Sequence, residues 1–147
     1  MVESVYQAQL LPPKGQKRQP SKLEITAKAL IPAPEAERVL SDLERKMKEE
    51  QLYLDNSLSL RVLAGYLEIT TNKLSWLINE KTDKNFNEYL NTYRLQDFKI
   101  RALNPRNAHL TLLALAYDSG FNSKSVFNTF FKKETGMTPK AWVKSRQ

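Results

Sequence analysis

The sequence predicts an all-α fold of about seven helices, in which two helix-turn-helix subdomains are joined by a long linker helix. Three observations lead there. From position 35 onward apolar residues recur at three- and four-residue spacing, and no segment alternates with period two. Side chains suited to capping, at Ser59, Thr70 or Thr71, Asn85, Thr111, Ser123 and Thr138, each precede such a stretch. One pattern also occurs twice. Leu63 and Ala64 recur as Leu115 and Ala116, and Ile69 as Phe121, all 52 positions later, while Leu74 and Ile78 recur as Phe127 and Phe131 at an offset of 53.

The elements follow in order. Residues 1–34 carry Pro12, Pro13, Pro20, Pro32 and Pro34 and a basic polar stretch over 14–19, and read as a linker or disordered segment. Ser21 and Glu24 would box a helix over 25–30, but two turns are marginal alone. The domain proper spans 35–147. Its first helix places Ala36, Val39, Leu40, Leu43 and Met47 on one face, with Glu37, Arg38, Asp42, Glu44, Arg45 and Lys48 solvated and Pro34 in the first turn. Residues 55–57 interrupt it, and Ser59 caps a helix over 60–67.

Thr70 or Thr71 then caps a helix reaching about Asn79, so the first helix-turn-helix occupies about 59–80. Asn85 with Glu88 opens the linker helix, 86–103, whose inward positions are Phe86, Tyr89, Leu90, Tyr93 and Ile100. Asn104 and Pro105 break it. The second helix-turn-helix covers 111–133, and Thr138-Pro139 starts a last helix carrying Ala141, Trp142 and Val143. In each unit the alanine stands where two helices cross, and the hydrophobe after the turn fills the angle between them. Gly120 supplies the left-handed backbone that this turn requires. The first unit has Glu68 there, a less comfortable residue.

Bulk chemistry narrows the function. The net charge is +7, and residues 1–58 contribute none of it, because nine basic side chains balance nine acidic ones. Residues 59–147 hold fourteen basic against seven acidic, and from Phe121 onward six basic residues face Glu134 alone. A localised excess of this kind is the footprint of a polyanion binder. Cysteine is absent and His109 is the single histidine, so thiolate and multi-histidine metal sites are excluded. No acid/base pair or nucleophile converges. The expectation is a protein that is not an enzyme and takes no cofactor. No apolar run approaches the roughly 20 residues of a membrane helix, and the N-terminus lacks a secretory pattern.

The repeat with its intervening helix resembles the AraC/XylS family of bacterial transcription regulators over about residues 36–145. The match is most specific over 111–143, where Ala116, Gly120, Phe121, Phe127, Phe131, Lys132, Lys133, Gly136, Thr138 and Pro139 occupy the family's signature places. Leu58, Leu60, Leu63, Ala64, Leu74, Ser75 and the run 85–94 fit its first unit. Glu68 and Asp83 depart from it where glycine is common, and Trp142-Val143 stands where Tyr-Arg is frequent. The resemblance implies homeodomain-like units and sequence-specific binding of double-stranded DNA at a promoter, with two recognition helices in successive major grooves. It also implies RNA polymerase as a partner and homodimers formed through an upstream sensor module. The runs 47–56 and 78–80 look like the output domains of membrane-bound or hybrid sensors. A C-terminal piece of a longer membrane-bound or hybrid sensor is therefore expected, with its reader in the cytoplasm. A free-standing small activator is the alternative within the class, and a helical protein-interaction module the alternative outside it.

On the first recognition helix, Asn72, Ser75 and Trp76 fall by resemblance at base-facing positions, with a core role the alternative for Trp76. On the second, Lys124, Ser125, Asn128 and Thr129 are the base-reading candidates. Thr71, Lys73, Thr111, Ser123, Lys132, Lys133 and Lys140 are the candidates for phosphate contact. Leu74, Leu77, Ile78, Val126, Phe127, Phe130 and Phe131 are assigned to the core. Arg94 is expected to be structural, held in the linker helix by an acidic neighbour.

Overall fold

The computed structural model describes residues 31–147, so the expectations for residues 1–30 lie outside the described part. Seven α-helices form, with no strand among the described residues. They are α1 (Ala33–Lys48), α2 (Leu60–Leu67), α3 (Thr71–Thr82), α4 (Phe86–Ala102), α5 (Leu112–Asp118), α6 (Lys124–Thr135) and α7 (Pro139–Ser145). Short 3-10 turns lie at Leu52–Leu54 and Pro105–Asn107.

Local chemistry starts these helices. The hydroxyls of Ser59, Thr70, Thr111, Ser123 and Thr138 accept the N–H groups of Val62, Lys73, Ala114, Val126 and Ala141, all at 3.0–3.3 Å. Asn85 and Glu88 form a reciprocal capping box at the head of α4. Each cap satisfies a backbone donor that the first turn leaves open, which contributes about 1 kcal/mol. Thr70, rather than Thr71, is the cap of α3. That helix runs three residues past Asn79 before Asp83, at φ 58, ends it.

Two cores result. The first joins Val39, Leu43 and Met47 of α1 to Leu63, Leu67, Leu74, Leu77 and Ile78 of the first helix-turn-helix, and to Tyr89 and Leu90 of α4. The second gathers Leu95 and Phe98 of α4 with Leu115, Phe121, Phe127, Phe130, Phe131 and Trp142. Phe127 and Phe131 are its hubs, each meeting three other rings. The Phe98 ring of α4 meets both of them edge-on at centroid distances of 4.8 and 5.5 Å.

The linker helix therefore buries different sides of itself in the two cores. At 100° per residue, Phe86, Tyr89, Leu90 and Tyr93 point roughly 160° away from Leu95, Phe98 and Ala102. Extending the first face along the whole helix selects Ile100, which instead is 72% exposed. The helix changes its buried side between positions 93 and 95, so Ile100 lies opposite Phe98 and in solvent. Val126 is also corrected. It sits at the edge of the apolar face of α6, next to Phe130, and is 45% exposed.

Candidate nucleic-acid interface

The outer face of α6 is built by subtraction. Phe127, Phe130 and Phe131 point into the second core, which leaves Lys124, Ser125, Asn128, Thr129, Lys132 and Lys133 exposed. The helix starts at Ser123, whose hydroxyl lies 3.2 Å from that of Ser125. Along one flank a cleft of about 460 Å³ has Phe127 and Pro139 on its floor and Lys124, Asn128, Lys132 and Lys140 around it. No acidic side chain lines it, so three ammonium groups face an apolar slot without a counter-charge. An anionic backbone with apolar sugar edges suits such a slot.

Lys133 is differently placed. Its ammonium lies 3.4 Å from the Glu88 carboxylate of α4, and the two side chains are 60% and 38% exposed. Three groups hold that carboxyl below the usual range: first the Asn85 N–H it accepts, then Lys133, and last Lys84. So exposed a pair is worth less than about 1 kcal/mol, and a phosphate can compete for the lysine. Thr111, which caps α5, is exposed, and the next residues, Leu112 and Leu113, line the same cleft.

On α3, Thr71, Asn72 and Ser75 are exposed and Lys73 is half-buried. Trp76 departs from its base-facing assignment. It is only 9% exposed and joins the first core. Asn72, Ser75 and Trp76 share one side of the helix at i, i+3, i+4 spacing, but only Asn72 and Ser75 are exposed, whereas Trp76 lies at the edge of that side and is packed into the first core. The structure thus brings the α6 candidates together on one surface and leaves two of the three α3 base candidates outward.

Arg94 is structural, as expected, but its partners are not the acidic neighbour expected for it. No acidic side chain of its own helix holds it, since Asp97 pairs with Arg101 instead. Its Nε donates to the Tyr53 carbonyl at 2.7 Å and its Nη2 to the Asp55 carbonyl at 3.0 Å, and Nη1 lies 3.4 Å from Asn91 Oδ1. Burial lowers its pKa, and the Asp55 carboxylate opposes that shift. Main-chain acceptors from a distant loop leave no signature in a sequence, so only the fold reveals them. No group of three or more metal-ligating side chains occurs among the described residues, and no helix there is long and apolar enough to cross a membrane.

Comparison with known proteins agrees with this architecture. The sequence profile of a helix-turn-helix domain matches residues 63–145. A structure from Listeria innocua, of a protein of unknown function, superposes with a TM-score of 0.63 at 26% identity, covering 74% of this chain and 97% of that one. The C-terminal domain of the two-component response regulator yesN from Fusobacterium nucleatum superposes with a TM-score of 0.55 at 29% identity, over 64% of this chain and 88% of that one. No curated protein matches. With the profile spanning more than half of its length, the chain belongs to the AraC-type helix-turn-helix family of DNA-binding transcription regulators.

Proposed function

We propose that residues 35–147 read a bipartite duplex site, α3 and α6 entering successive major grooves about 34 Å apart on one face of the DNA. The observation that carries this reading is the polar, basic outer face of α6, whose apolar residues are all committed to the core except Val126. Asn72 and Ser75 of α3, and Lys124, Ser125, Asn128 and Thr129 of α6, are the proposed base readers. Thr71, Lys73, Thr111, Ser123, Lys132, Lys133 and Lys140 anchor phosphates. RNA polymerase is the expected partner at the promoter, and a second copy of the protein pairs through a module upstream of the reader.

Selection from random duplexes tests the reading directly. An enriched two-part motif with halves about one helical turn apart is the expected result, and no enrichment at low salt sinks the proposal. Affinity for the enriched duplex should also fall steeply as salt rises, because several phosphates exchange their counterions for lysines. Asn128→Ala should relax preference at one base pair by about 1–3 kcal/mol, whereas equal weakening on every sequence would reassign Asn128 to the backbone.

A further inference from the structure

The two units meet at the loop 51–58, and the contacts there are of an unusual kind. Arg94, in the middle of α4, is 6% exposed and grips two carbonyls of that loop, those of Tyr53 and Asp55. The Asp55 carboxylate accepts both the N–H and the hydroxyl of Ser57, which shapes the loop so that its carbonyls face the guanidinium. The turn of the second unit sits against the same carbonyl, beside Arg94. Gly120, at φ 111, rests directly on the Tyr53 carbonyl, and a Cβ there would also lie 2.7 Å from Arg94 Nε. The next turn residue but one, Asn122, donates from Nδ2 to the Asn56 carbonyl at 3.1 Å.

A loop belonging to the first core is thus held both by the linker helix and by the turn that leads into α6, which meet at the Tyr53 carbonyl. A single helix joining two units is otherwise a hinge at its ends. We propose that Arg94 and Asn122, acting through the loop 51–58, lock the offset between α3 and α6 and so set the base-pair spacing that the protein accepts. Both are positioning residues, and the inference rests on the bipartite reading above. Arginine suits the task because its planar fork reaches two acceptors at once, which a lysine's point charge does not reproduce. One base pair of extra spacing moves the second half-site by about 3.4 Å and about a tenth of a turn. A locked pair of helices cannot follow that shift, whereas a loosened pair can.

The chain lacks cysteine, so spin labels at Lys81→Cys and Glu134→Cys, both exposed, report the distance between the ends of α3 and α6 without DNA. A single narrow distance distribution is expected in the parent, broadened or displaced when Arg94→Lys or Asn122→Ala is added. An unchanged distribution in both variants overturns the lock. The second arm uses the duplex that the parent enriches from a random library, with and without one inserted base pair between its halves. The parent should lose about tenfold or more in affinity on insertion, and the variants less than about threefold. Variants that keep the full penalty overturn the inference. If no bipartite motif is enriched, the reading of the site fails while the distance arm still decides the lock. Should Arg94→Lys fail to fold, Asn122→Ala decides both arms, because its hydrogen bond lies on the surface and outside either core.

Discussion

In the first helix-turn-helix the chain leaves α2 through Glu68 at φ 58, and in the second it leaves α5 through Gly120 at φ 111, although the two positions are equivalent in the repeat. Glu68 is exposed, so its turn asks only that an L-residue adopt a left-handed conformation. Gly120 is buried against the Tyr53 carbonyl, so its turn asks for the absence of a side chain as well. The ends of the recognition helices repeat the contrast, with Asp83 at φ 58 closing α3 and Gly136 at φ 75 closing α6. The cores differ too. Around α3 the packing is largely aliphatic, and around α6 it is a cluster of phenylalanines. One pattern thus tolerates two chemistries, and a glycine is indispensable only where another part of the chain presses on the turn.

The largest expected effect breaks that contrast at its centre. Gly120→Ala should cost about 2–4 kcal/mol, combining backbone strain with displacement of the loop, whereas Glu68→Ala should cost under about 0.5 kcal/mol. Urea unfolding of both variants checks this, and equal costs would mean that the second turn is not seated as described. A smaller effect has the opposite sign. Glu68→Gly should stabilise the protein by about 1 kcal/mol, raising Tm by about 3 °C, because glycine removes the strain of the left-handed residue. A loss of stability would show that the Glu68 side chain makes a contribution its exposed position does not suggest.

The smallest effect concerns the capping box of α4. The Glu88 carboxyl is held below its ordinary pKa of 4.5, so its contribution is fully present above that value and is lost as pH falls through the lowered folded pKa. Glu88→Gln should be less stable than the parent by under about 1 kcal/mol at pH 7, a figure discounted for exposure. The two proteins should converge in acid, once the pH lies below the lowered folded pKa and the parent carboxyl is protonated as well. A gap that persists in acid would assign the difference to packing rather than to charge.

Much of this architecture was legible beforehand because it is written in local chemistry. A capping oxygen acts over three residues and apolar periodicity over a few turns. Hence Ser59, Asn85, Thr111, Ser123 and Thr138 marked helix starts correctly, and Phe127 and Phe131 could be set apart from Lys124, Ser125 and Asn128. What was misread shares the opposite property. Trp76 and Ile100 are judged by which side of a helix meets a neighbour, and the periodicity of one helix cannot report where that neighbour lies. The sequence by itself determined the helices, the repeat, the charged face and the family. Only the tertiary structure decided that α4 turns different sides to its two cores, that Arg94 grips main-chain carbonyls about forty residues away, and that Gly120 seats one unit on the other. Those features depend on contacts between segments distant in the chain, whose partners are backbone atoms common to every residue type.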